Sequence, residues 1–402
     1  KRLITSMLKK IKHGQLTIRE KNTETFLLVS GKISTTGLSA EIIINSPQTW
    51  RLITQRGALG AAEAYMHGFW DTPDLFTLLR LVAKNRETMQ KIKNLSSILN
   101  KVLLFTYNRF RKNSVSGSSK NIRAHYDLGN DFFRLFLDES MMYSSAIFPN
   151  PYCSLEHASE FKLQQICKAL NLQPGDHILE IGTGWGGFAL YAARHHQVHI
   201  TTTTLSKEQF ALTQQKVKEA GLEKTITVLL KDYRHLDGKY DKVVSIEMIE
   251  AVGHQYINNY FSKISSLLKE DGLACIQAIT INHDRYHAYK DSSDFIQHYI
   301  FPGGCLPTIK TMTDGITQYA GMEIINNIDI GLDYARTLFH WRQRFELSLN
   351  EMRNQGFSEE FIRMWRYYLC YCEAGFVERT ISTVQLSFAK PGFRFNSEYN
   401  NM

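Results

Sequence analysis

The sequence has no pair of cysteines at CxxC spacing and no Cys/His cluster at the intervals of a zinc site. Its six cysteines, at 153, 167, 275, 305, 370 and 372, therefore read as reduced thiols, and neither a disulfide framework nor a bound metal is expected. No run of about 18 apolar residues is present, so no bilayer-spanning helix is expected. The opening KRLITSMLKK lacks the apolar centre and small-residue cleavage site of a secretory signal, which points to a cytoplasmic protein. Internal repeats and long low-complexity tracts are missing too. The last scarcity is acid in the first third: residues 1–120 carry 20 basic and 7 acidic side chains, against 27 and 32 in the rest. Such a face attracts polyanions, either nucleic acid or an anionic membrane leaflet, and composition does not choose between them.

What is present suits a globular protein of more than one domain, with 402 residues, 43% hydrophobic and 21% charged. LTIRE, TFLLVSG and AEIIIN read as short strands. ALGAAEAYMHGFWDTPDLFTLLRLVAK has helical apolar spacing, broken at Trp70, Asp71 and Pro73. Together these make a small α+β domain over 1–83. Residues 84–120, with nine Lys/Arg and one acidic residue, read as a basic amphipathic helix and linker. Over 121–402 strands and helices alternate: HILEI, GGFALYAARHH, VHITTTT, SKEQFALTQQKVKEAG, ITVLLKD, KVVSIE, YINNYFSKISSLLKEDG, LACIQAITI. That order predicts an α/β, Rossmann-like domain built on a mostly parallel sheet, with a ligand at the carboxyl ends of the strands.

EIGTGWGGF, at 180–188, places Gly182, Gly184 and Gly186 in a turn between strand and helix, where main-chain N–H groups can approach a ligand. A dinucleotide fingerprint expects G-x-G-x-x-G, and bulky Trp185 stands where a pyrophosphate would want room. A nucleoside without phosphates fits better. Glu180 at the strand end, and Asp232 with Tyr233 at the tip of LLKDY, supply acceptors and a ring for it. These features point to S-adenosylmethionine.

RAHYDLGNDFFRLFLDESMMYSSAIF, ILEIGTGWGGF, TLSKEQ, SIEMIEAVGHQYINNYF and QHYIFPGGCLPT make the resemblance specific. From about Gly57 to Lys390 the chain resembles the cyclopropane-fatty-acyl-phospholipid synthases, relatives of the mycolic acid cyclopropane synthases. The resemblance implies a seven-stranded S-adenosylmethionine-dependent methyltransferase domain, a small lipid-docking amino-terminal domain, and a homodimer. Its partners would be unsaturated phospholipid acyl chains and the anionic inner leaflet, with no nucleic acid. It gives the cofactor Tyr143, Ser144, Glu180, Gly182, Thr183, Gly184, Trp185, Gly186, Gly187, Thr204, Leu205, Gln209, Asp232 and Tyr233. The strand VHITTTT ends without the acid that usually takes ribose hydroxyls, and Thr and Gln serve in its place.

An isolated alkene is a poor nucleophile, so methyl transfer to it depends on alignment and on stabilising a carbocation away from water. Aromatic faces and one base are expected. Tyr126, Tyr143, Tyr299, Phe301 and Tyr334 are candidates for the lining. The resemblance implies a bicarbonate ion as base, gripped by Glu250, Tyr334 and backbone at Ile279. Ser145 stands where Cys is usual, and Gln277 where His is usual; both can still hydrogen-bond an anion. If proton removal is redirected, a methyl or methylene branch replaces the ring. Cys372 in YCEAGF corresponds to a cysteine assigned to the family's active site, although the reaction needs no covalent enzyme intermediate and packing is the simpler role. The helix FIRMWRYYLCYCEAGFVERTI is expected to close the acyl channel.

Overall fold

Apolar and polar side chains alternate in GQLTIRE, which puts Leu16 and Ile18 on one face of strand β1 (Gly14–Glu20), and both are buried. The computed structural model describes residues 2–21, 26–32, 37–89, 129–290 and 294–394. β1 pairs antiparallel with β2 (Phe26–Lys32) and parallel with β3 (Ser39–Ile44), and β3 is antiparallel to the short β4 (Trp70–Asp71). The helix Gln48–Met66 bends at Gly57, whose φ of 59° a side chain would strain. The expected break follows it as β4. Asp74 then caps the helix Leu75–Lys84, accepting from the Thr77 amide at 3.0 Å.

The chain divides into two compact units, and the division is not the one read from sequence. The first comprises Lys1–Phe110, Ser292–Ile300 and Leu338–Thr380; the second comprises Arg111–Asp291, Phe301–Thr337 and Ile381–Met402. Residues 338–380, expected within the catalytic block 121–402, join the amino-terminal elements. The reason is the helix Glu359–Val377, which packs on the helices Gln48–Met66 and Leu75–Lys84, with the Tyr367 ring 5.8 Å from that of Tyr65. Arg363 lies 3.9 Å over the Tyr65 ring and donates to the Tyr65 and Trp70 carbonyls at 2.6 and 3.1 Å. Arg80 donates to Glu378 at 2.8 Å. The helix expected to close an acyl channel makes this packing. Of the basic stretch 84–120, residues 90–120 lie outside the described residues.

The second unit is a seven-stranded sheet in the order β10-β11-β9-β8-β5-β6-β7. Its strands are β5 (His177–Ile181), β6 (His199–Thr204), β7 (Ile226–Leu230), β8 (Tyr240–Ile246), β9 (Leu268–Ile281), β10 (Glu323–Asp329) and β11 (Ile381–Ala389). β9, β8, β5, β6 and β7 run parallel, while β11 is antiparallel to both β9 and β10. Ile178 belongs to one apolar cluster, with Phe188 and Val198, and Leu179 to another, with Val243 and Phe261. Successive residues of a strand point to opposite faces, so both faces of the sheet are covered. The chain runs outward from β5 through β6 to β7 and returns at β8. That reversal opens a crevice at the carboxyl ends of β5 and β8. Among the described residues no helix is long and apolar enough to cross a membrane, and no group of His, Cys, Asp and Glu could hold a metal ion.

Candidate active site

β5 ends in the glycine turn, followed by the helix Gly187–His196. Gly182 has a φ of 102°, and a side chain there would press on Met248; a Cβ at Gly187 would collide with the Met142 sulfur. Gly184 and Gly186 also have positive φ. The amides of Gly182 and Thr183 both donate to the Thr203 carbonyl, at 3.1 and 2.9 Å, which ties the turn to β6. Trp185 is buried, with its ring 5.0 Å from that of Phe133 and its indole N–H donating to Asn130 at 2.7 Å. Its carbonyl accepts from Lys216 Nζ at 3.3 Å.

Glu180 is 2% exposed, and its carboxylate accepts from the Thr202 hydroxyl at 2.5 Å. Burial pushes its pKa up to about 8 against the pull of that hydrogen bond. At the end of β6, Thr204 donates to Gln209 Oε1 at 2.8 Å, and Ser206 caps the helix Lys207–Glu219 by accepting from the Gln209 amide at 3.2 Å. Leu205 is half-buried between them. Beyond β7, burial raises the Asp232 carboxyl, but the Arg234 side-chain and backbone donors at 2.6–2.9 Å outweigh it and hold the group below the usual range. The Tyr233 ring stands edge-on to Tyr260 at 5.3 Å, and burial pushes its phenol up to about 12. These residues lie at the carboxyl ends of β5, β6 and β7.

Tyr143 lies 5.3 Å from Phe133 and 6.1 Å from Phe301, giving an aromatic wall. Ser144 is buried, and its hydroxyl accepts from Lys162 at 2.8 Å. Lys162 is wholly buried; desolvation pushes its pKa down to about 8, opposed by the charges of Glu247 and Asp138. Tyr126 lies outside the described residues. Tyr299 and Cys372 belong to the first unit: Tyr299 donates to Glu63 at 2.7 Å, and burial keeps the Cys372 thiol well above its ordinary range. Cys372 is thus a packed, protonated thiol.

The anion site departs from expectation at its centre. Glu250 does take the Ile279 amide, at 2.5 Å, and burial followed by the Glu247 charge pushes its carboxyl up to about 8. Its other oxygen is buried with no hydrogen-bond partner. The remaining donors, however, point at Glu247. Its Oε1 accepts from the Ser145 amide at 2.9 Å and from Gln277 Nε2 at 2.8 Å, and its Oε2 accepts from the Tyr334 hydroxyl at 2.9 Å. The Ser145 hydroxyl is turned to the Ala146 carbonyl, 2.9 Å away. Gln277 is locked by Gln385, which donates to its Oε1 at 3.0 Å. Burial raises the Glu247 carboxyl, and these donors with the Lys162 charge pull it back, leaving it above the ordinary range. The residues present therefore do not fit a bound bicarbonate: a side-chain carboxylate already uses its donors. Reading the sequence singled out Ser145, Gln277, Tyr334 and Glu250 but passed over Glu247, Gln385 and Lys162. The signal for Glu247 was the first acid in SIEMIE, three residues before Glu250.

The family described as mycolic acid cyclopropane synthetase matches residues 113–386. A tuberculostearic acid methyltransferase of Mycobacterium tuberculosis is 37% identical over 349 residues, spanning 85% of this chain and 81% of that one. A cyclopropane-fatty-acyl-phospholipid synthase of Escherichia coli is 35% identical over 355 residues, spanning 87% and 88%. The crystal structure of a mycolic acid cyclopropane synthase complexed with SAH and CTAB superposes with a TM-score of 0.63 at 31% identity, spanning 68% of this chain and 98% of that one.

Proposed function

The chain belongs to the mycolic acid cyclopropane synthetase family, and from that premise we propose that it is an S-adenosylmethionine-dependent enzyme that methylates the double bond of an unsaturated acyl chain carried on a membrane phospholipid. The observation that carries this reading is a carboxylate, Glu247, held by three donors beside a second carboxyl, Glu250, at the carboxyl end of β8. Bound S-adenosylmethionine supplies an electrophilic methyl on a sulfonium. The glycine turn, Glu180, Thr204, Gln209 and Asp232 would hold it, with Tyr233 beside it. Tyr143, Phe133 and Phe301 then give a dry aromatic wall whose faces stabilise positive charge on the acyl chain.

Ring closure to a cyclopropane is the first product reading. A branched chain is the second; it is favoured by Gln277 where His is usual in cyclopropane synthases and by the similarity to a tuberculostearic acid methyltransferase. Lipids extracted from cells producing the protein decide the matter. New acyl species one CH2 heavier than the parent alkene are expected, and gas chromatography before and after hydrogenation separates ring from methylene branch. Unchanged lipids would remove the reading.

The basic first third suits docking on an anionic leaflet. Flotation with anionic vesicles should show binding that collapses at high salt, whereas salt-insensitive adsorption would argue against electrostatic docking.

A further inference from the structure

We propose that Glu247 is the base of this site, a carboxylate built into the chain where relatives are expected to borrow a dissolved one. The proposal rests on the reading of methyl transfer to an acyl double bond given above. Three observations carry it. Ser145, Gln277 and Tyr334, the residues that the family resemblance gives to an anion, all deliver their hydrogen bonds to this one carboxylate. A carboxylate offers about four lone-pair sites. Two on Oε1 and one on Oε2 are taken, so one on Oε2 is left to receive a proton.

The second observation is the backbone. Glu247 has a φ of 51°, a conformation a side chain adopts at a cost, and such strain persists where the surroundings hold it. Its amide donates to the Gln277 carbonyl at 2.8 Å, so the strained residue and its amide partner are fixed together. The third is the contrast with Glu250. One donor and one bare buried oxygen mark Glu250 as the neutral acid of the pair, while three donors mark Glu247 as the ionised member.

The alkene π pair forms the new C–CH3 bond, the sulfur keeps the S–CH3 pair, and the acyl chain is left with a cation. Glu247 Oε2 takes a proton from a neighbouring C–H. A C–H of the added methyl gives its pair to close the three-membered ring; after a 1,2-hydride shift the same loss gives a methylene branch, and a C–H of the adjoining chain carbon gives a methyl-branched alkene. The carboxylic acid so formed loses its proton to solvent when the product leaves.

The test uses the full chain, S-adenosylmethionine, and vesicles of dioleoyl phosphatidylglycerol and dioleoyl phosphatidylethanolamine, in CO2-free buffer with or without added bicarbonate. Wild type should make product at the same rate in both and should show no binding of 13C-bicarbonate by NMR. Glu247→Gln should lose product formation by about 10²–10⁴-fold while its calorimetric affinity for S-adenosylmethionine is unchanged. Glu247→Gly, whose backbone suits the left-handed conformation, should be inactive without bicarbonate, regain roughly tenfold or more with it, and bind the labelled ion. A wild type that depends on bicarbonate, or a Glu247→Gln that keeps its rate, overturns the proposal and leaves the methyltransferase reading standing. No product and no sulfide release from wild type on these lipids overturns both.

Discussion

A carboxyl group taken out of water holds its proton longer, and two such groups sit at the tips of β5 and β8. Glu180 and Glu250 each have a folded pKa of about 8 against an ordinary 4.5. Between those values the folded state binds more protons than the unfolded chain, so each group costs stability as pH rises through the window and costs nothing below it. Glu180→Gln keeps the acceptor for Thr202 and removes the ionisation. Its melting temperature relative to wild type should therefore climb from pH 5 towards pH 8; a flat difference would show that Glu180 is ionised in the fold. Gln385 acts one step further out. Gln385→Leu leaves Gln277 free to turn, and product formation should drop roughly tenfold or more with the affinity for S-adenosylmethionine intact, as vesicle turnover and calorimetry would show. Motifs made Ser145, Gln277, Tyr334 and Glu250 legible because each lies in a recognisable run. Gln385 was not legible: it stands 108 residues from Gln277 and meets it only because β11 pairs with β9 in the register Gln385↔Gln277.

Single elements were the most readable layer. The period-two pattern of GQLTIRE, the break at Trp70 and Asp71, and the glycine turn before the helix Gly187–His196 follow from local preferences that tertiary packing left in place. Strand order within the sheet does not follow from such local signals, and neither does the left-handed backbone at Glu247, a residue type that ordinarily avoids it. The cap of the helix Lys207–Glu219 joins an element to the site, since Ser206 holds the amide of Gln209 and Gln209 holds Thr204. Ser206→Ala should cost about 1 kcal/mol in denaturant unfolding and also weaken cofactor binding by calorimetry. Loss of stability with full affinity would detach the cap from the pocket.

The whole molecule is where sequence order misled. Contiguous numbering suggested that 121–402 stands alone, yet Leu338–Thr380 belongs with the amino-terminal elements. A fragment beginning at residue 121 would strip the helix Glu359–Val377 of the helices Gln48–Met66 and Leu75–Lys84 that it packs on, and bare the Tyr367 ring that lies 5.8 Å from Tyr65. Such a fragment should aggregate or bind a dye for exposed apolar surface, whereas a soluble monomer with a sharp melt would show that the helix finds other cover. Within the first unit Glu373 is buried and held by Arg342 through bonds of 2.6 and 3.1 Å, so this unit is fastened by charge as well as by apolar packing. The left-handed backbone at position 247 has a consequence at this scale too. Glutamate and glycine codons differ by a single base, and glycine is the residue for which that conformation is free of strain. One transition in the gene thus separates a catalyst that is indifferent to the carbon dioxide around it from one whose rate rises and falls with the gas it is given.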